Sequence, residues 1–200
     1  MTITHKIKLF CLAILLGSFP YFSRAAEIIQ ITASTRHLVP KGKGVDAIDG
    51  DWLMRNDKVI LIIGNAVFGR EANMRVQSVQ GAVIDFTTLA DNNDYLAAFF
   101  PQGFPAPDSR RNPAIFANRI EVVKDKGAEI VLRAIRNASE KVPYESVTEY
   151  TLRDGENFLR VKTLYTNPTQ QDVSLVFADK LSISQQNSVL NFAYWMAHFA

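Results

Sequence analysis

The clearest indication of the fold is residues 119–136, which read RIEVVKDKGAEIVLRAIR. Apolar and polar residues alternate from Arg119 to Lys124, as they do in a β-strand that turns one face to a core. Asp125-Lys126-Gly127 is typical of a tight turn, and residues 129–136 have the composition of a return strand. This stretch therefore predicts an antiparallel hairpin.

Further strands follow the hairpin on its carboxyl-terminal side. We predict a longer strand at 144–152, a turn at Asp154-Gly155, a strand at 158–167 and, after a turn at 168–171, a strand at 173–178. One face of the first of these carries Tyr144, Ser146, Thr148, Tyr150 and Leu152. Strands that short turns join, without a helical pattern between them, form an antiparallel meander. We therefore predict a mainly β protein, an antiparallel β-sandwich or supersandwich with one or two short helices.

The residues on the amino-terminal side of the hairpin also favour strands. Residues 27–34 are rich in β-branched side chains and predict a first strand. A turn leads into residues 52–55, and Asn56-Asp57 turns the chain into residues 59–63, VILII. This last run is apolar on both faces, which is typical of a central strand covered on both sides. Residues 82–86 resume the strand pattern.

A short helix and a long proline-rich loop are predicted before the hairpin. Asp94 is a good N-cap for a helix over 95–100, which a proline ends. Four prolines stiffen the loop at 101–113, and loops of this length in compact domains are often functional. Arg110 and Arg111 lie on this loop, and two adjacent guanidinium groups could bind a ligand through its carboxylate or phosphate. The alternative is a solubilising surface pair.

The first 25 residues have the organisation of an export signal. Two lysines precede an apolar run at 9–17, and Ser23 and Ala25 are small residues at the positions that a signal peptidase reads. The apolar run is too short to span a bilayer. We therefore predict cleavage after Ala25 and an exported protein, periplasmic or extracellular, with no membrane association after cleavage.

Signal cleavage changes the charge and the cysteine content. The chain has 22 basic and 20 acidic residues, and the signal holds three of the basic residues and none of the acidic ones. The mature chain would therefore carry a formal charge of −1, which gives little attraction to nucleic acid or anionic lipid. Cys11, the one cysteine, lies in the signal. Without a disulfide, the mature domain would depend on its hydrophobic core.

The histidine content argues against a zinc site. After cleavage, the chain keeps His37 and His198 and no cysteine. A catalytic zinc usually takes three protein ligands and a structural zinc takes four, mostly histidine and cysteine. We therefore expect neither a metal nor a cofactor in this chain.

The carboxylates offer only weak candidates for catalysis. Glu145 and Glu149 share a strand face, but four residues of strand separate them by about 13 Å, and glycosidase pairs lie about 5–9.5 Å apart. A solvated strand face explains them better. Asp46, Asp49 and Asp51 lack the spacing of a calcium-binding EF-hand loop, and turn formation accounts for them. We assign no catalytic residue.

Two parts of the sequence resemble a known domain. Residues 50–59, GDWLMRNDKV, and 80–85, QGAVID, resemble the β-rich N-terminal domain of large exported multidomain proteins, some of which continue into PHP-type metallohydrolase domains. Residues 149–161 and 166–169 resemble the last hairpin of that domain, whose sandwich is similar to the galactose-mutarotase supersandwich. The likeness covers most of residues 45–181. Gln80 stands where the family has a second glycine, and the metal-binding region is missing, so no catalytic residue carries over.

These observations predict a domain organisation and a function. The signal peptide spans 1–25, an N-terminal strand and linker 26–44, the sandwich 45–181 and an apolar segment 182–200. We expect an exported non-catalytic module, either a scaffold or a ligand-binding domain, that forms the N-terminal part of a larger protein. Fold analogy favours a carbohydrate as its ligand. The alternative is a hydrolase or sugar epimerase of mutarotase-like fold, which would need a histidine beside a carboxylate.

The last residues of the chain allow two interpretations. Phe192, Trp195, Met196 and Phe199 lie at helical spacing and need a surface to cover them. Either an amphipathic helix docks on the sandwich, or the natural protein continues past Ala200. The resemblance favours continuation, because the similar domains extend further.

Overall fold

The computed structural model describes residues 25–67, 71–73, 76–77, 79–94, 96–101, 116–140, 142–173, 179–183 and 194–195. Their regular structure consists of fourteen strands and one short 3-10 helix, Arg36–Leu38. The strands are β1 (Ala26–Gln30), β2 (Trp52–Arg55), β3 (Val59–Ile63), β4 (Glu71–Asn73), β5 (Val76–Gln77), β6 (Val83–Thr88), β7 (Leu96–Phe100), β8 (Arg119–Lys124), β9 (Lys126–Gly127), β10 (Glu129–Arg136), β11 (Glu145–Arg153), β12 (Arg160–Thr166), β13 (Asp179–Ile183) and β14 (Tyr194–Trp195).

Two antiparallel sheets make up most of the domain. The main sheet has eight strands in the order β14-β13-β7-β6-β3-β2-β1-β9. The small sheet has four strands in the order β12-β11-β10-β8, and β4 and β5 pair separately. Buried side chains of both sheets form one hydrophobic cluster, so the sheets pack face to face. The prediction of a mainly β, antiparallel sandwich is confirmed.

The strand β3 is buried on both of its faces. Val59, Leu61 and Ile63 point to the small sheet and pack in the same cluster as Leu132 and Tyr150. The alternate residues of β3 face the opposite side, where segments of the chain outside the small sheet cover them. These covering residues include Leu38, Val39, Val45 and Phe116. The sequence prediction of a central strand covered on both sides is therefore confirmed.

The hairpin at 119–136 forms, although its first strand packs only Ile120 against the core and leaves Val122 and Val123 exposed. β8 pairs with β10, and a bulge shifts the register between Val131 and Leu132. Lys126 and Gly127, at the predicted turn, also pair with β1 of the main sheet. The turn therefore joins the two sheets at one edge of the sandwich.

The outer face of the small sheet is covered by charge. Arg133 and Glu149, which are cross-strand neighbours, form an ion pair with a nitrogen–oxygen distance of 2.8 Å. Arg153 and Glu129 form a second pair at 2.6 Å. Both pairs are partly exposed and contribute little stability, but they keep this face solvated. The interpretation of Glu149 as part of a solvated strand face is confirmed.

The prediction of a helix over 95–100 is wrong, because Leu96–Phe100 forms β7. This strand pairs with β13 and β6, so its conformation is fixed by long-range partners. The Asp94 carboxylate accepts the backbone N–H groups of Phe86, at 2.8 Å, and Leu96, at 3.2 Å. It therefore fixes the turn between β6 and β7. A short apolar run carries too little periodicity to distinguish a helix from a strand.

Other predicted segments are shorter than expected or lie outside the described residues. β1 ends at Gln30, because Thr35 closes a turn through its hydroxyl, which donates to the Gln30 carbonyl at 3.0 Å. Residues 1–24 of the signal peptide predicted at 1–25, and residues 174–178 of the last predicted strand, lie outside the described residues. In the final apolar segment, Tyr194–Trp195 is extended and pairs with β13.

Candidate functional site

The inner face of the small sheet changes from apolar to polar at one end. Along β10, Ile130, Leu132 and Ala134 face the core, and Arg136 takes the next inward position. Arg136 lies opposite Ser146 of β11, and Ser146 in turn lies opposite Tyr165 of β12. A charged side chain therefore occupies an inward-facing position of β10, where the preceding inward-facing residues belong to the core.

A cavity of about 50 Å³ lies between the two sheets at this polar end. Its polar lining residues, among those described, are Gln80, Arg136, Ser146, Thr148, Tyr150, Thr163 and Tyr165. Phe100 and Phe116 form an apolar side of the cavity, with ring centroids 6.2 Å apart. We call this space the Arg136 cavity.

Arg136 is only 6% exposed, so its guanidinium is largely removed from water. Its guanidinium carbon lies 4.5 Å from the centroid of the Tyr144 ring, a favourable cation–π arrangement. Its Nε and Nη2 atoms are buried and have no hydrogen-bond acceptor among the described residues. Burial of a charged donor without an acceptor costs free energy. The guanidinium edge is therefore ready to bind a negatively charged oxygen.

The neighbouring polar groups are largely fixed by their own hydrogen bonds. The hydroxyls of Thr148 and Thr163 bond to each other at 3.0 Å. Gln80 donates its amide to the Val67 carbonyl at 2.9 Å, whereas its Oε1 is buried and lacks a donor among the described residues. The Tyr150 hydroxyl donates to the Gly81 carbonyl. The walls of the cavity are thus held in place from both sheets.

The tyrosines at the cavity are neutral at physiological pH. Burial raises the pKa of Tyr150, and the negative charge of Asp179 raises it further. Burial is also the largest cause of the raised pKa of Tyr165, whose edge contacts the Tyr144 ring at a centroid distance of 5.6 Å. Both hydroxyls therefore act as hydrogen-bonding groups and carry no charge.

The described lining residues supply one cation and several hydroxyl groups. Among the described residues that line the Arg136 cavity, none is a histidine, cysteine, aspartate or glutamate. General acid–base catalysis uses histidine, carboxylates, cysteine, lysine or tyrosine, and the raised pKa values of Tyr150 and Tyr165 keep both tyrosines protonated at neutral pH. A buried cation with surrounding hydroxyls can instead orient an oxyanion without reacting with it.

The sequence-predicted site residues lie elsewhere or are outside the described residues. Arg110, Arg111 and His198 are outside them, so ligand binding by Arg110 and Arg111 stays a prediction. Pro101 and Phe116, the described residues nearest to this arginine pair on either side, both line the Arg136 cavity. His37 is exposed, and its Nδ1 lies 2.9 Å from the Ser34 carbonyl oxygen. The structure does not place His37 at the cavity.

The aspartates at 46–51 are explained by turns and backbone hydrogen bonds. Asp49 forms an exposed ion pair with Arg36 at 2.6 Å. Asp51 is buried and accepts the backbone N–H groups of Asn65 and Ile48 at 2.9 and 3.0 Å. Within the described ranges, no group of three or more histidine, cysteine, aspartate or glutamate residues could hold a metal ion.

A second buried polar feature lies on the other side of the main sheet. Asp85 and Asp94 are fully buried, and the Oδ2 atom of each lacks a donor among the described residues. Burial raises the pKa of Asp85 to about 8, and the charges of Asp94 and Asp46 add to this rise. Burial also raises the pKa of Asp94 to about 6.

Arg136 is not among the residues predicted to form a site, although the strand pattern around it indicates a polar pocket. Ser146 and Thr148 share a strand face with Tyr150 and Leu152, which lie in the core. Small hydroxyl residues on a core-facing side indicate a polar pocket at that end of a sheet. On the neighbouring strand, the inward-facing residues are apolar until Arg136, the last of them. A charged residue at such a position also indicates a polar pocket.

Comparisons with protein-family models, curated proteins and solved structures give no match to this chain. Among the described residues, no helix has the length and apolar character required to cross a membrane.

Proposed function

We propose that this chain is a non-catalytic, ligand-binding β-sandwich module of an exported protein, and that the Arg136 cavity binds an anionic group of the ligand. The observation that carries the proposal is the buried Arg136 guanidinium, whose Nε and Nη2 atoms have no acceptor among the described residues. A bound oxyanion would supply both missing acceptors and neutralise the buried charge.

The geometry favours a binding module over a pure scaffold. A scaffold has no need for a charged side chain at a core position, where an apolar residue of similar volume is often equally stable or more stable. Arg136 holds such a position, at the open end of the inner face of the small sheet. Retention of a cation there is consistent with ligand recognition.

The broader setting of the module is also part of the proposal. The signal at residues 1–25 supports export, and the resemblance at 45–181 supports a place at the N-terminus of a larger protein. The same resemblance favours a carbohydrate as the ligand. The Arg136 cavity adds one requirement, a negative charge on the group that enters the sandwich.

The proposal predicts that small carboxylates stabilise the protein through Arg136. Thermal unfolding is measured while sodium acetate replaces sodium chloride at constant ionic strength. At about ten times the dissociation constant, a ligand adds about 1.4 kcal/mol to the free energy of unfolding. For a domain of this size, the melting temperature should rise by about 3–6 °C.

Two variants separate the cavity from a general salt effect. Arg136→Gln should abolish the acetate response. Arg133→Gln, on the same strand but on the opposite face, should retain it, because Arg133 pairs with Glu149 outside the cavity. An equal acetate response in wild type and Arg136→Gln would refute the proposed site.

A further inference from the structure

We infer that the Arg136 cavity recognises a hydroxycarboxylate, a carboxylate whose adjacent carbon carries a hydroxyl group. This inference rests on the proposed anion binding and specifies the ligand's chemistry. Two buried groups of this cavity lack hydrogen-bond partners of opposite kinds. Arg136 offers buried donors without an acceptor, and Gln80 Oε1 is a buried acceptor without a donor, among the described residues.

The donor side fits the two oxygens of a carboxylate. The Nε and Nη2 atoms of an arginine lie along one edge of the planar guanidinium and can bond to both oxygens of a carboxylate at once. The face of the Arg136 guanidinium is already used, since it stacks over the Tyr144 ring at 4.5 Å. The unpartnered edge is thus the part of Arg136 left for a ligand.

Gln80 Oε1, the buried acceptor of the cavity, requires a hydrogen-bond donor on the same ligand. Gln80 is 6% exposed, and its amide nitrogen is already used by the Val67 carbonyl. A carboxylate without a hydroxyl group would leave Gln80 Oε1 without a partner. A sulfate has additional oxygens, which Gln80 Oε1 would repel. A ligand hydroxyl supplies the missing proton and also removes the cost of burying an unpaired acceptor.

A hydroxyl suits the site better than an ammonium group, which could also donate to Gln80. An ammonium next to the carboxylate would lie close to the positive charge of Arg136. Asp179, whose charge acts on Tyr150 and Tyr165, does not itself line the cavity and would offset that repulsion only in part. Amino acids are therefore disfavoured as ligands.

The size of the cavity sets how much of the ligand it takes. A single water needs about 10–15 Å³ of such a space, so a cavity of about 50 Å³ has room for a few non-hydrogen atoms. A carboxylate with its neighbouring carbon and hydroxyl has about this size. The remainder of a larger molecule, such as a sugar acid, would extend out of the cavity mouth.

Four small probes test the assignment by nuclear magnetic resonance titration of the purified protein. Glycolate carries both the carboxylate and the hydroxyl, acetate lacks the hydroxyl, glycolamide lacks the charge, and glycine replaces the hydroxyl by an ammonium. We expect glycolate to bind about 3–10-fold more tightly than acetate, the effect of one net hydrogen bond. Glycolamide and glycine should bind at least about 10-fold more weakly than glycolate, the loss of a charged hydrogen bond or a new repulsion.

Protein variants assign the two contacts separately. Gln80→Met should abolish the preference for glycolate over acetate and leave acetate binding unchanged. Arg136→Gln should weaken both carboxylates by about 10-fold or more. Arg133→Gln, on the outer face of the same strand, should bind all probes as the wild type does. The comparison of the four probes needs only the wild-type protein. The assignment can therefore still be tested if a variant fails to fold.

The possible results distinguish the hydroxycarboxylate assignment from the proposed anion binding. Equal affinity for glycolate and acetate in the wild type would overturn the hydroxycarboxylate assignment and leave anion binding intact. Glycine binding as tight as glycolate would overturn the assignment as well. If neither carboxylate binds, or if Arg136→Gln has no effect, the proposed anion-binding function itself fails.

Discussion

The hydroxyl of Tyr150, on β11 of the small sheet, donates a hydrogen bond to the carbonyl oxygen of Gly81, two residues before β6 of the main sheet. Tyr150 is completely buried, and both residues line the Arg136 cavity. This bond ties the two sheets together across the core. It also holds in place the backbone next to Gln80, and thus one wall of the proposed site.

Tyr150→Phe should destabilise the protein by about 1–3 kcal/mol, because the buried Gly81 carbonyl loses its donor while the ring keeps its packing. Chemical denaturation measures the change in the free energy of unfolding. The matched control is Thr151→Val, which removes a hydroxyl from the opposite face of the same strand. We expect that control to stay within about 0.5 kcal/mol of the wild type. Equal losses in the two variants would contradict the assigned role of the Tyr150 hydroxyl.

Gly81→Ala should be far more damaging than the same change at Gly155. Both glycines have left-handed backbone conformations, with φ of 78° and 74°. A Cβ atom at Gly81 would lie 2.8 Å from the Ala117 Cβ and 2.9 Å from the Ala134 Cβ, whereas nothing lies within 4 Å of that position at Gly155. The clash should add about 1–3 kcal/mol to the shared backbone strain. Similar unfolding free energies for the two variants would argue against close packing around Gly81.

Asn56→Asp should cost about 3–5 kcal/mol of stability. The fully buried Asn56 amide donates to the carbonyls of Arg153, at 2.6 Å, and Glu156, at 2.7 Å. A carboxylate there would face two carbonyl oxygens without a donor. Asn167→Asp, in an exposed turn with a similar bonding pattern, is the control and should cost much less. The comparison of the two variants by denaturation isolates the effect of burial.

Protein stability should fall as the pH rises from about 4 to about 8. The pKa of Asp85 is about 8 and that of Asp94 about 6 in the folded protein, both raised mainly by burial from the usual 3.8. Between the usual pKa of 3.8 and the raised pKa of each group, the folded state binds more protons than the unfolded state. For each extra proton that the folded state binds, the free energy of unfolding falls by about 1.4 kcal/mol for every unit by which the pH rises.

Asp85→Asn should flatten this pH dependence, because the amide cannot titrate and can still accept the Asp46 N–H that Asp85 accepts at 2.9 Å. Asp49→Asn, at an exposed ion pair, should leave the slope as it is in the wild type. Urea unfolding at several pH values measures both. A wild-type stability that rises steadily between pH 4 and 8 would show that Asp85 is not a protonated buried acid.

The sheet architecture is predictable from the sequence because its signals are local. The alternation at 119–124, the turn at Asp125-Lys126-Gly127 and the two-sided apolar run at 59–63 each depend on neighbouring residues. Turn residues such as Asn56 mark where strands end. These elements therefore appear at nearly the predicted positions, and the fold class follows from them.

The helix error and the missed cavity have a different cause. β7 is extended because it pairs with β13, more than seventy residues away along the chain, and no local pattern encodes that pairing. Arg136 and Gln80 come together only when the two sheets pack. Asp85 interrupts an apolar strand, which is a visible signal, but its partner Asp94 is identified only in the fold. Long-range contacts thus decide the candidate site.

The Nε–Hε resonance of Arg136, observed in isotope-labelled protein during an acetate titration, reports most directly on the central claim. Its assignment follows from its loss in Arg136→Gln. The account predicts that this resonance moves downfield and that its proton exchanges more slowly with water as acetate saturates the cavity, since a carboxylate oxygen becomes the missing acceptor. A resonance that stays unchanged up to the highest acetate concentration would contradict the claim that Arg136 binds an anion.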